Sequence, residues 1–353
     1  MKTLPDARPE AVYIHIGHGK TGSSFLQSAL ALSATTLAQH GLFYPIQDST
    51  AAEAHKGHIT GGNVTARRLK LDELPEPSGP GQRLLLSSES FFFYLHRNAE
   101  SFQAEYARVF GDTPLHVLLY LRDPVDHAVS AYQQSIKRGG YAGSLAKKLD
   151  AYTLPQHTIS VISALQDMGA QLTMHNYSRC RDTLVQTFED WLGLPTDSLT
   201  RPENAQVNRS LTRAELEVQR LVNKHLSKRV GGSTGRFASD PLCNELPDIK
   251  SETPPLDPAD LQRFLTRMQE EFSDPSYTTL VPEEARPRVG TLEEHAARFP
   301  APPENPQDTV YTFTQAQLEV LMHSLTRPLL HNAEQRQKRK EAGRKKGNRQ
   351  NAD

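Results

Sequence analysis

Cysteine is scarce in this 353-residue chain: only Cys180 and Cys243 are present. Two thiols make neither a disulfide framework nor a cysteine metal centre. Long apolar runs are missing too. The opening stretch MKTLPDARPEAVYIHIGHGK lacks the apolar core of a signal peptide, and no window has the length of a membrane span. A reducing, cytoplasmic setting is the expectation. Nor is there a large net charge, the formal total being −1. The charge is unevenly spread, however. Residues 334–353 hold eight Lys or Arg against three acids, which leaves the preceding chain at about −6. Such a run reads as a solvated tail, with an anionic surface as the partner it suits. No nucleic-acid recognition fold accompanies it.

What is present in the first half is an alternation of strand-like and helix-like segments. Val12–Ile16 is a short β-rich run ending in a glycine-containing turn, and a helical pattern extends from Ser23 to His40, stopped by Gly41. Leu84–Leu86 and Leu115–Leu121 do not alternate with polar residues, as suits strands buried on both faces of a parallel sheet. Pro124 opens a helix running to about Arg138; a helix (Gln156–Met168), a strand (Gln171–Asn176) and a helix (Asp182–Leu192) come after it. The expectation is a doubly wound, mainly parallel α/β core over residues 8–200. Beyond it, helices are expected at Leu211–Lys228, Asp257–Phe272 and Thr314–His331. Half of all prolines fall in 241–306. Residues 201–333 are therefore read as a helical, proline-rich extension of the same domain, and 334–353 as a basic tail.

VYIHIGHGKTGSSFLQ is a strand, a turn and the start of a helix, an arrangement that aims backbone N–H groups and a helix dipole at one anion. Gly17, Gly19 and Gly22 permit close backbone approach, Thr21, Ser23 and Ser24 add hydroxyls, and Lys20 adds charge. The triphosphate-binding version of such a loop requires a glycine five residues before Gly19, where Ile14 stands. The strand Leu115–Leu121 also runs into Arg122 rather than into a Mg²⁺-holding Asp. ATP and GTP hydrolysis are disfavoured.

With these residues in view, HIGHGKTGSS resembles the 5′-phosphosulfate loop of the sulfotransferases that use 3′-phosphoadenosine-5′-phosphosulfate (PAPS). YLRDPVDHAVSAY resembles that family's 3′-phosphate motif, a strand ending in Arg with Ser eight residues later, here Arg122 and Ser130. A guanidinium at a strand's carboxyl end, completed by a hydroxyl two turns into the next helix, suits one phosphate. LTMHNYSR…FEDWLGL is a weaker match to the end of the same core, and Tyr177 in it either contacts adenine or merely packs. The resemblance covers roughly residues 10–195. It implies a P-loop-like fold and PAPS as co-substrate, bound by Gly19, Lys20, Thr21, Gly22, Ser23, Ser24, Arg122, Ser130 and Tyr177. It also implies in-line sulfuryl transfer to a hydroxyl or amine of a carbohydrate, lipid or small molecule, with the acceptor site and a lid in the 201–333 extension.

A sulfuryl group carries less charge than a γ-phosphoryl, so no metal is expected. Lys20 is placed to stabilise the bridging oxygen. The candidate base is Glu89 in LLLSSESF, just past a strand; several carbohydrate sulfotransferases place a catalytic Glu after the corresponding strand. His18, His55 and His58 are the alternatives. His15 reads as a strand residue and His127 as a helix-surface one. Asn208-Arg209-Ser210 and Gly231–Phe237 are candidate lids, although a helix cap and a plain loop describe them better. The competing functions are a P-loop kinase or nucleotide hydrolase, and a catalytically silent binding protein with the same fold.

Overall fold

The computed structural model describes residues 8–46, 50, 52, 54, 62–65, 70–75, 81–202, 209–230, 234–305, 309–327 and 330. His55, His58, Asn208, residues 231–233 and the segment 334–353 lie outside them. By its contacts the chain forms two compact units. One comprises Met1–Ala131, Ala146–Ala205 and Asp257–Ala297; the other comprises Tyr132–Leu145, Gln206–Leu256 and Arg298–Asp353. The two units interleave along the sequence. Part of the proline-rich segment belongs with the sheet, and residues 132–145 do not.

The first unit is built on five parallel strands: β1 (Val12–Gly17), β2 (Leu42–Phe43), β3 (Arg83–Ser88), β4 (Leu115–Leu121) and β5 (Gln171–Asn176), in the order β2-β3-β1-β4-β5. This is an α/β fold with an all-parallel sheet, consistent with the doubly wound class. The strands are apolar on both faces because helices cover both. Leu85, Leu118 and Tyr120 on one face pack with Leu26 and Leu30 of α1 (Ser23–Leu32) and with Phe188 and Leu192 from Leu184–Leu192. On β1 also packs the long helix Ser90–Phe110, whose Phe91, Phe92 and Leu95 are buried and which also touches Leu154–Asp167. The helix expected to run unbroken from Ser23 to His40 breaks at Ser33. The Ser33 hydroxyl accepts from Thr200 N–H (2.7 Å), which ties the break to a segment far along the chain.

Register decides where the loops meet. Ile16 pairs with Ser88, Gly17 with Tyr120 and Leu121 with Asn176. Four strands therefore end at one edge, and the residues that come after them leave from there.

The second unit holds helices Arg213–Val230 and Ser239–Glu245 and a helix over 315–327. Its small apolar core contains Ala238, Leu242, Val320 and Leu321. At its centre is a buried ion pair. Arg209 donates from both terminal nitrogens to Glu215, each at 2.7 Å, and from Nε to the Leu246 carbonyl at 2.7 Å. Gln317 and the Thr212 N–H complete the shell around the carboxylate. Arg209 is thus a structural residue of this unit and not part of a lid. Glu215→Ala leaves that guanidinium buried without its partner, and a loss of about 3–5 kcal/mol is expected in urea unfolding followed by circular dichroism. A loss below about 1 kcal/mol contradicts the assignment.

Candidate functional site

After β1 the backbone enters the left-handed region three times, at Gly19 (φ 82°), Lys20 (φ 57°) and Gly22 (φ 76°). Alternating handedness of this kind turns peptide N–H groups to one side of a turn. Helix α1 then starts at Ser23 with no side-chain cap on its first N–H groups. Two of the glycines pack closely against neighbouring side chains, and Gly22 also sits in the left-handed region that favours glycine. A Cβ at Gly17 would lie 2.5 Å from Ser23 Oγ, and one at Gly22 would lie 2.6 Å from Leu184 Cδ2 and 3.1 Å from Tyr177 Cε2. Lys20 has no such licence, and its left-handed backbone costs on the order of 1–2 kcal/mol.

The stabilising partner comes from β4. Arg122 Nη1 donates to the Lys20 carbonyl at 2.6 Å, and its guanidinium carbon lies 5.4 Å from the Tyr177 ring centroid, within cation–π range. Asp123, next in sequence, receives Asn176 Nδ2 (3.1 Å) and Arg288 N–H (2.8 Å) on Oδ1, while its own N–H donates to Ser178 Oγ (3.2 Å). This carboxylate staples the ends of β4 and β5 and is occupied in doing so. Sequence reasoning passed over Asp123 and Asn176; only the pairing of β4 with β5 makes them neighbours.

Glu89 immediately precedes the helix Ser90–Phe110, makes no capping bond to it, and is joined to the same loop. Ser24 donates to its carboxylate, and Lys20 is near enough to act on it electrostatically. The residue keeps an open face to solvent. The protein around the carboxyl raises its pKa above the ordinary value, while Lys20 and Ser24 pull it down. Lys20, Ser24 and Glu89 thus form one group, and Lys20, Arg122 and Tyr177 another that shares the lysine. Thr21 and Ser23 are buried with their hydroxyls 3.4 Å apart. Ser130 is half-buried on the helix Pro124–Gly139; among the described residues no hydrogen bond joins it to Arg122. Among the described residues, no cluster of three or more His, Cys, Asp or Glu is placed to hold a metal ion.

Under the loop lies a chain of buried aromatic and histidine rings. His18 is 2% exposed and its ring stands edge-on to Phe92 and to His127, the latter at 4.6 Å. His127, expected on a helix surface, is 6% exposed: it bonds to the His18 backbone, and its Nδ1 shares a 3.0 Å hydrogen bond with Tyr152 Oη. The surface expectation fails because Tyr152, in the link between two later helices, covers that side of the helix. His15 is fully buried on β1 and bonded through Nδ1 to Ser87 Oγ (2.9 Å). Burial lowers His15 to about 3. Burial also brings His18 down to about 4, against the raising effect of its bond to the Gly19 carbonyl and with help from the Arg122 charge. His127 is held well below its ordinary range by burial, then by His18 and Arg122.

No protein-family model matches this chain, and no curated protein matches it.

The buried histidines make a pH prediction. Their folded pKa values are depressed, so their stabilisation is complete above about pH 6.5, where the unfolded chain is also neutral, and is lost as pH falls toward 4. Three such groups give a slope of up to about 4 kcal/mol per pH unit near pH 5. Urea unfolding followed by Trp191 fluorescence between pH 7.5 and 5 should show this fall, with His127→Gln removing roughly a third of it. A flat profile across that range contradicts the buried neutral state.

Proposed function

We propose that the protein is a sulfotransferase that takes its sulfuryl group from PAPS, with a P-loop-like phosphosulfate loop after β1. The observation that carries this reading is the junction of two segments a hundred residues apart: the strand-end Arg122 bonds the carbonyl of Lys20 in the loop. Both belong to the motifs that resemble the family, and the fold brings them to one edge.

The residues fit a nucleotide with phosphates at both ends. The open approach at Gly19, the turned N–H groups and the cations Lys20 and Arg122 suit phosphate oxygens. Residues Gly19–Ser24 would hold the 5′ end, Arg122 with Ser130 the 3′-phosphate, and the Tyr177 ring offers its face to the base. When bound, PAPS supplies an activated sulfuryl group and a bisphosphate leaving group. Lys20 supplies positive charge in the loop, where negative charge grows as the bond to sulfur breaks. Glu89 accepts the proton of the acceptor hydroxyl. Its raised pKa strengthens it as a base, and Lys20 and Ser24 keep it ionised. The acceptor is a hydroxyl or amine of a carbohydrate, lipid or small molecule. A cytoplasmic setting, and an anionic surface for the basic tail, belong to the same reading. The chain has no helix among its described residues long and apolar enough to cross a membrane.

Three variants test the roles. Arg122→Ala should weaken binding of 3′-phosphoadenosine-5′-phosphate about 10–100-fold by calorimetry, the worth of a charged hydrogen bond. Lys20→Ala should cut release of that nucleotide from PAPS by roughly 10²–10³. Glu89→Gln should retain nucleotide affinity and lose about 10²–10⁴ in turnover; unchanged turnover rejects it as the base.

A further inference from the structure

The second unit contains a cleft of about 460 Å³ lined wholly by its own residues. This is within the usual range for a small-molecule site. One wall is the first two turns of the helix Arg213–Val230, where Arg213, Leu216, Glu217 and Arg220 occur at i, i+3, i+4 and i+7 and so share a face. Tyr132 and Tyr311 flank it, and Pro254, Pro255 and Pro302 form rigid edges.

The charges in this cleft cancel in pairs. Arg220 donates to both carboxylate oxygens of Glu217 (2.7 and 2.6 Å) and to the Ala142 carbonyl (3.0 Å). Arg213 donates to Glu252 through its side chain (3.3 Å) and its backbone N–H (2.8 Å). A guanidinium has five N–H groups and each carboxylate oxygen two lone pairs, so both pairs keep donors and acceptors to spare. The Thr309 hydroxyl, also lining the cleft, is a buried oxygen with no partner among the described residues.

This lining selects by elimination. An anion or cation finds no net counter-charge. A purely apolar molecule would desolvate four charged side chains without replacing their hydrogen bonds. A proline-rich peptide suits the tyrosines, but its proline carbonyls only accept, so the acceptor capacity that Glu217 and Glu252 keep beyond their arginine bonds goes unused. A sugar ring has apolar C–H faces for the tyrosines and vicinal hydroxyls that donate to carboxylates and accept from guanidinium N–H groups. We propose that this cleft, formed by the second unit's own residues, binds a neutral carbohydrate.

The test uses the full chain on an array carrying neutral oligosaccharides of hexoses and N-acetylhexosamines, sulfated oligosaccharides and a proline decapeptide, followed by calorimetry on whatever is retained. Neutral oligosaccharides should be retained. Tyr311→Ala, and the paired change Arg220→Met with Glu217→Leu, should each raise Kd at least tenfold while leaving the thermal midpoint and the affinity for 3′-phosphoadenosine-5′-phosphate unchanged. The proposal is overturned if no neutral oligosaccharide is retained, or if the sulfated sugars or the peptide bind better. It is equally overturned if both variants bind as the parent does, or if Lys20→Ala abolishes the binding, which would move it to the other unit.

Discussion

The hydrogen bond from Arg122 to the carbonyl of Lys20 is the point at which the two halves of the site become one. It requires β1 and β4 to be neighbours in register, since Gly17 pairs with Tyr120 and each loop then leaves the sheet from the same place. It also answers a local difficulty. Lys20 has a left-handed backbone that a side chain resists, and a short charge-assisted bond to its own carbonyl offsets that strain. Tyr177 presses on both partners, being stacked under the guanidinium and packed against the turn at Gly22. The conformation of the loop is therefore over-determined from the side of β4 and β5.

A second constraint acts from below. His127 grips the backbone of His18 and is itself held by Tyr152, so the residue that begins the turn is fixed to the helix just after Arg122. These rings are neutral because they are buried beside Arg122. Neutrality matters to the proposed chemistry. Beneath Lys20 and Arg122 no imidazolium competes with them for the proposed anion. Glu89 completes the arrangement, its carboxylate accepting from Ser24 at the start of α1.

Much of this was legible in the residues. Val12–Ile16 and Leu115–Leu121 announce buried parallel strands by their lack of polar alternation, and the residues just past the carboxyl ends of such strands gather at one edge; Lys20, Glu89 and Arg122 were accessible by that logic. The long helix Ser90–Phe110 was not, because three consecutive phenylalanines and a non-helical Asn98 blur its period. The strand Leu42–Phe43 is too short to have one. His127 looked like a surface residue because a helix reveals its own polar face, not the tyrosine that another segment brings against it. The two units escaped for a similar reason: their segments interleave, and proline content at 241–306 marks loops without saying which unit they serve.

In the proposed reading, selection of a nucleotide phosphorylated at 3′ and 5′, and not of a triphosphate, rests on Ile14, Lys20 and Arg122 together. Calorimetric titration of the unmodified protein with 3′-phosphoadenosine-5′-phosphate and, separately, with ATP and Mg²⁺ tests it most directly. The account predicts tight binding of the bisphosphate and weak or no binding of ATP with Mg²⁺. Tight binding of ATP with Mg²⁺ and none of the bisphosphate would contradict it.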